Sequence, residues 1–122
     1  MPSVILVVDD EEDLRETIAE FLTEQGYSVL TACDGLAAKK VLITQKIDLV
    51  LTDIRMPNMN GVDLLKFSRA LPDAPKVIVA SGFSDYSRDD IERLGASAYL
   101  TKPFDLDKLL TTVKGLALEL KA

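Results

Sequence analysis

The chain has 122 residues, 48% hydrophobic and 28% charged, with a net charge of −6. That is enough for one domain with its own core, and the acidic balance argues against nucleic acid as the main partner, because a phosphate backbone is gripped through basic patches. With no histidine and a single cysteine, Cys33, imidazole chemistry, an intrachain disulfide and a thiolate zinc site are all excluded.

The first element is "VILVVDDEEDL", in which five aliphatics, Val4 to Val8, run straight into five acids, Asp9 to Asp13. The aliphatics predict a strand. The acids predict a helix start, where negative charge is worth about 0.3–1 kcal/mol per residue against the helix dipole. Adjacent carboxylates also repel, so either the block is only a helix start or something positive belongs beside it.

Leu14, Ile18, Phe21 and Leu22 then share one helical face, which Gly26 ends. Ser28 to Ala32 reads as a second strand, with Cys33 a small hydrophobe at its end. Asp34 is placed to cap a second helix with Ala38, Val41 and Leu42 inward. Asp48 to Thr52 is the third strand; a third helix starts near Gly61 and buries Leu64, Leu65 and Leu71 before Pro72 stops it.

Val77 to Ala80 is the fourth strand. The helix after it, "SDYSRDDIERLG", has mainly Ile91 and Leu94 as apolar anchors, so it is expected to be the mobile one. Ala98 to Leu100 is the fifth strand, and Leu106, Leu109, Leu110, Val113, Ala117 and Leu120 form one stripe on the last helix. Gly115 within it costs about 1 kcal/mol relative to Ala.

Continuous apolar strands alternating with helices imply an α/β fold, with helices on both faces of a single parallel sheet. The strand order 2-1-3-4-5 is borrowed from known folds of this class. No apolar run approaches the roughly 20 residues needed to cross a bilayer, and no signal peptide precedes the first strand. A cytoplasmic protein without membrane contact is expected.

In open α/β sheets, ligands bind beyond the carboxyl ends of the strands. Strand 1 ends in Asp9 and Asp10, strand 3 in Asp53 and strand 4 in Ser81, while strand 5 leads to Lys102. Singly, Asp53 reads as a cap, Ser81 as a turn residue and Lys102 as a solvated lysine. Together, three carboxylates, a hydroxyl and an ammonium meet in one cleft. Two unit charges ~4 Å apart interact by about 4 kcal/mol at an effective dielectric near 20. A hard divalent cation relieves that repulsion, and Mg²⁺ favours one or two carboxylates, waters and a phosphate oxygen. Glu11, Glu12 and Asp13 are left as the helix start.

Four stretches, "VVDDEEDL", "DIRMPNMNG", "VIVASG" and "GASAYLTKPF", resemble the signatures of the response-regulator receiver domain of two-component signalling, in order and over about residues 4 to 118. The resemblance implies a flavodoxin-like (βα)5 fold and a phosphorylation switch. It implies that Asp53 is the phosphoacceptor, charged by a histidine kinase, a phosphotransfer protein or a small phosphodonor. It places Mg²⁺, or Mn²⁺ instead, on Asp9, Asp10, Asp53 and the backbone carbonyl of Arg55. Lys102 corresponds to the lysine that contacts the phosphoryl oxygens, Ser81 to the switch hydroxyl and Tyr99 to the switch aromatic. The Lys102–Pro103 bond is implied to be cis. Phosphorylation would then alter the surface of helix 4, strand 5 and helix 5, read by an effector domain or partner.

Arg55 and Phe83, each two residues past a site residue, border the path of attacking water and imply a long-lived phosphoryl state. Ala98 stands where many DNA-binding regulators carry acids that support dimerisation, which weakens such a dimer here. The expected organisation is a single receiver domain over residues 1–122, stand-alone or excised from a longer regulator or hybrid kinase, catalysing only its own phosphorylation and dephosphorylation.

Rival readings fit less well. A phosphatase of the haloacid dehalogenase type carries a second Asp where this chain has Arg55, and its nucleophile follows strand 1. An FMN carrier needs a Gly-, Ser- and Thr-rich phosphate loop where this chain has five acids. A receiver that only docks partners has no need of the complete Asp–Ser–Lys set.

Overall fold

The computed structural model describes residues 3–56, 58–82 and 86–121, with side chains described up to residue 117. Its elements are β1 (Val4–Val8), α1 (Glu12–Glu24), β2 (Ser28–Ala32), α2 (Gly35–Thr44), β3 (Leu49–Asp53), α3 (Gly61–Arg69), β4 (Lys76–Ser81), α4 (Arg88–Arg93), β5 (Ala98–Thr101) and α5 (Leu106–Lys121). The strands form one parallel sheet in the order β2-β1-β3-β4-β5.

Successive strand residues point to opposite faces, and both faces are covered. Leu6, Val8, Val50 and Val79 pack with Ala38 of α2, Leu64 and Leu65 of α3 and Ile91 of α4. Ile5, Val7, Leu51 and Ile78 pack on the other side with Ile18 and Leu22 of α1 and Leu109 and Val113 of α5. Hence the central strands read as unbroken apolar runs. The edge strand β2 differs, leaving Ser28 and Thr31 exposed. Cys33 lies just beyond the strand end, as expected, and is exposed.

Strand limits shift in an informative way. Asp48 does not open β3; its carboxylate accepts from the Val4 N–H at 2.8 Å and its own N–H donates to the Val4 carbonyl at 2.9 Å. This clasp joins the starts of β1 and β3. At the other end the ladder runs one residue past the apolar segments, pairing Asp53 with Ala80 and Ser81 with Thr101. Polarity marks the end of the apolar run, whereas backbone pairing and, for Ser81, burial continue past it.

The Asp34 side chain caps α2 by accepting from the Ala37 N–H at 2.8 Å. Helix α3 ends at Arg69, leaving Leu71 outside the helix yet packed on the core. Ser87 and Asp90 form a capping box on the six-residue α4, whose buried side chain is Ile91. On α5, Leu109, Val113 and Ala117 are buried as expected, joined by Leu116, which the stripe did not include. Leu120 lies outside the described side chains. Among the described residues, no helix is long and apolar enough to cross a membrane.

Candidate functional site at the carboxyl edge of the sheet

Parallel registration puts the ends of β1, β3 and β4 side by side, with Val8 opposite Thr52 and Asp53 opposite Ala80. Asp9 follows β1, Asp53 and Ser81 close β3 and β4, and Lys102 follows β5. The ladder is prolonged there by the Lys102 N–H, which donates to the Ser81 carbonyl at 3.0 Å. The Lys102–Pro103 peptide is cis.

Asp9 is 4% exposed, Asp53 is half-buried and Asp10 is exposed, and one oxygen of each lies within 4.8 Å of the others. Lys102 Nζ donates to Asp9 Oδ2 and to Asp53 Oδ2, both at 2.8 Å. Of the acidic run, Asp9 thereby gains a positive partner. Burial pulls the Lys102 pKa down and is the largest single effect. Hydrogen bonds to Asp53 and Asp9, with their charges, together outweigh it and hold the ammonium above its ordinary value.

The remaining carboxylate oxygens are held by backbone. Asp9 Oδ1 accepts from the Glu11 N–H at 2.9 Å, and Asp53 Oδ1 from the Ile54 N–H at 2.6 Å and, at longer range, the Arg55 N–H at 3.4 Å. Gly61 lets the chain fold back under Asp53. Its N–H donates to the Ile54 carbonyl at 2.9 Å, and a Cβ there would collide with the Asp53 carbonyl. Asp10, Glu11, Asp53, Arg55, Ser81, Gly82 and Lys102 surround a recess of about 320 Å³.

Tyr99 is half-buried on β5 and packs against the core cluster that holds Val79 and Ile91. Arg88 of α4 donates from Nη2 to its carbonyl at 3.2 Å, and the guanidinium lies 5.7 Å from the ring centre. Phe83 lies outside the described residues. Sequence reasoning missed Arg15, whose Nη1 donates to the Asp9 carbonyl at 2.8 Å. The signal was only partial: Arg15 is the sole base in α1, two residues past the acidic run. Asp34 was read only as a cap, yet it also receives Asn58 Nδ2 at 2.8 Å.

The donor set fits a hard divalent cation: three converging carboxylates, two of them shared with a single ammonium and the third exposed.

The family model for the response regulator receiver domain matches residues 5–114. Curated relatives include sporulation initiation phosphotransferase F of Bacillus subtilis, 31% identical over 115 residues that make up 93% of each chain. The transcriptional regulatory protein CpxR of Escherichia coli is 36% identical over 112 residues, covering 92% of this chain and 48% of that protein. The chain thus spans nearly all of the first relative and about half the length of the transcriptional regulators it matches. Among solved structures, the receiver domain of Francisella response regulator 1452 superposes with a TM-score of 0.87 at 31% identity, covering 93% of this chain and 95% of that one. Response regulator TrrA of Thermotoga maritima, solved in complex with Mg²⁺–BeF, gives a TM-score of 0.84 at 37% identity, covering 93% of this chain and 98% of that one.

Proposed function

The chain belongs to the response regulator receiver domain family, the phosphoacceptor switches of two-component signalling, and we propose that its acceptor is Asp53. The observation that carries this is the convergence of Asp9 and Asp53 on one ammonium, with Asp10 alongside.

Asp53 Oδ2 is the reacting oxygen in this reading. Oδ1 is occupied by backbone N–H groups, whereas Oδ2 is held by the Lys102 side chain, which has rotatable bonds that the backbone lacks. The oxygen–phosphorus bond forms as the donor's phosphorus–nitrogen or phosphorus–oxygen bond breaks, and that electron pair departs with the donor. Lys102 Nζ transfers its hydrogen bond from the carboxylate to the phosphoryl oxygens, neutralising charge there. Held by Asp9, Asp10, Asp53 and the Arg55 carbonyl, Mg²⁺ or Mn²⁺ would supply further neutralisation. Ser81 and Tyr99 transmit the change to the surface of α4, β5 and α5. Arg55 and Phe83 slow hydrolysis.

The donor is a histidine kinase or phosphotransfer protein, and the reader is an effector domain or separate partner. Residues 1–122 act as one receiver domain, in the cytoplasm.

Intact mass after incubation with acetyl phosphate and Mg²⁺, beside Asp53→Asn, tests the assignment. One phosphoryl adduct, Mg²⁺-dependent and absent from the variant, is expected. An adduct that persists in Asp53→Asn would place the acceptor elsewhere.

A further inference from the structure

Beyond the carboxylate cluster, the chain after Asp53 is pinned to a different helix. Asn58 has a left-handed backbone, φ 68°, which Asn and Asp adopt more readily than other side chains. Its Nδ2 donates to Asp34 Oδ2 at 2.8 Å, while Asp34 Oδ1 accepts from the Ala37 N–H at 2.8 Å. One carboxylate thus caps α2 and holds Asn58 at once. Beside it Met59 lies so close to α2 that a Cβ on Gly35 would collide with the Met59 carbonyl. Toward Asp53, the Gly61 N–H ties back to the Ile54 carbonyl at 2.9 Å. Arg55, on the wall of the acidic recess, lies in sequence between these two ties.

We propose that Asp34 and Asn58 are a positioning pair for divalent-cation binding: their bond holds the backbone after Asp53 where it completes the cation site. This rests on reading Asp9, Asp10 and Asp53 as that site. Without the bond, the segment must be ordered when the cation arrives, and that entropy is subtracted from affinity. A bond that served only the fold would change the unfolding midpoint and leave cation affinity alone.

Mg²⁺ titration by calorimetry on the whole chain separates the two. Asn58→Asp keeps a residue that tolerates the left-handed backbone but sets two carboxylates against each other. It also adds a negative charge, which alone would tighten Mg²⁺ binding. The expected weakening, on the order of three- to tenfold, therefore has a positional cause. Asn58→Gly, which keeps the backbone accessible and deletes the side chain, weakens binding in the same direction. In Asp34→Asn/Asn58→Asp the amide and carboxylate exchange sides, the net charge returns to that of the parent, and the amide oxygen still caps α2. Affinity then recovers to within about twofold of the parent.

Unchanged or tighter binding in Asn58→Asp, or no recovery in the exchanged pair, overturns the proposal. Loss of binding in Asp10→Asn would in that case leave the cation site standing. No Mg²⁺ binding by the parent chain, or none lost in Asp10→Asn, overturns both the cation site and the pair.

Discussion

Lys102 Nζ and Asp53 Oδ2 lie 2.8 Å apart, and the same ammonium reaches Asp9 Oδ2 at 2.8 Å. A single cation on β5's exit thereby neutralises acids from β1 and β3. Its position lets it stabilise the resting carboxylates, and in the proposed reaction it follows charge onto the phosphoryl group.

Lys102→Met is expected to lower stability by about 1–2 kcal/mol, between the limits for exposed and buried ion pairs, because the pair is only partly buried. Mg²⁺ should restore more stability to this variant than to the parent, since the cation then has all the acidic repulsion to relieve. Urea unfolding with and without Mg²⁺ measures both. An equal Mg²⁺ response in the two proteins would contradict the account.

The pH dependence has a definite sign. The pKa of Lys102 is raised from 10.5 in the folded chain, so its stabilising contribution is complete below 10.5 and is lost as pH climbs through the raised value. Thermal unfolding across that alkaline range should show a steeper fall for the parent than for Lys102→Met. Parallel curves would mean that the ammonium contributes nothing.

Gly61→Ala forces a Cβ against the Asp53 carbonyl, a backbone group with no rotamer to yield. Overpacking of this kind costs about 1–3 kcal/mol. The displaced Asp53 should also accept phosphoryl groups more slowly from acetyl phosphate, measured by intact mass over time. Normal kinetics in a destabilised protein would separate this contact from the chemistry.

Arg55 is exposed and lines the recess, and the proposed function has it shield an acyl phosphate from water. Arg55→Ala is expected to shorten the lifetime of the phosphorylated state severalfold. Radiolabel retention in Mg²⁺ buffer checks this, and an unchanged or longer lifetime would show that the side chain does not shield the bond.

Much of the molecule is written locally. Val4–Val8 followed by Asp9 and Asp10 announces a buried strand with a polar exit, and the helical stripe from Leu109 to Val113 and Ala117 announces a packed helix. Period and polarity are properties of neighbouring residues, so those elements and the row Asp9, Asp53, Ser81 and Lys102 could be read before any contact was known. Pairings across the chain could not. Nothing near Asp34 shows that its second oxygen meets Asn58, nor does the α1 sequence say that Arg15 holds the Asp9 carbonyl rather than a neighbouring glutamate. Nor does the sequence say that Cys33 is exposed while its neighbour Ala32 is buried. Local sequence determined the elements and the chemical types at their ends; packing alone decided which partners meet, because hydrogen bonds and charge pairs act over a few ångströms and only the assembled sheet brings distant residues that close.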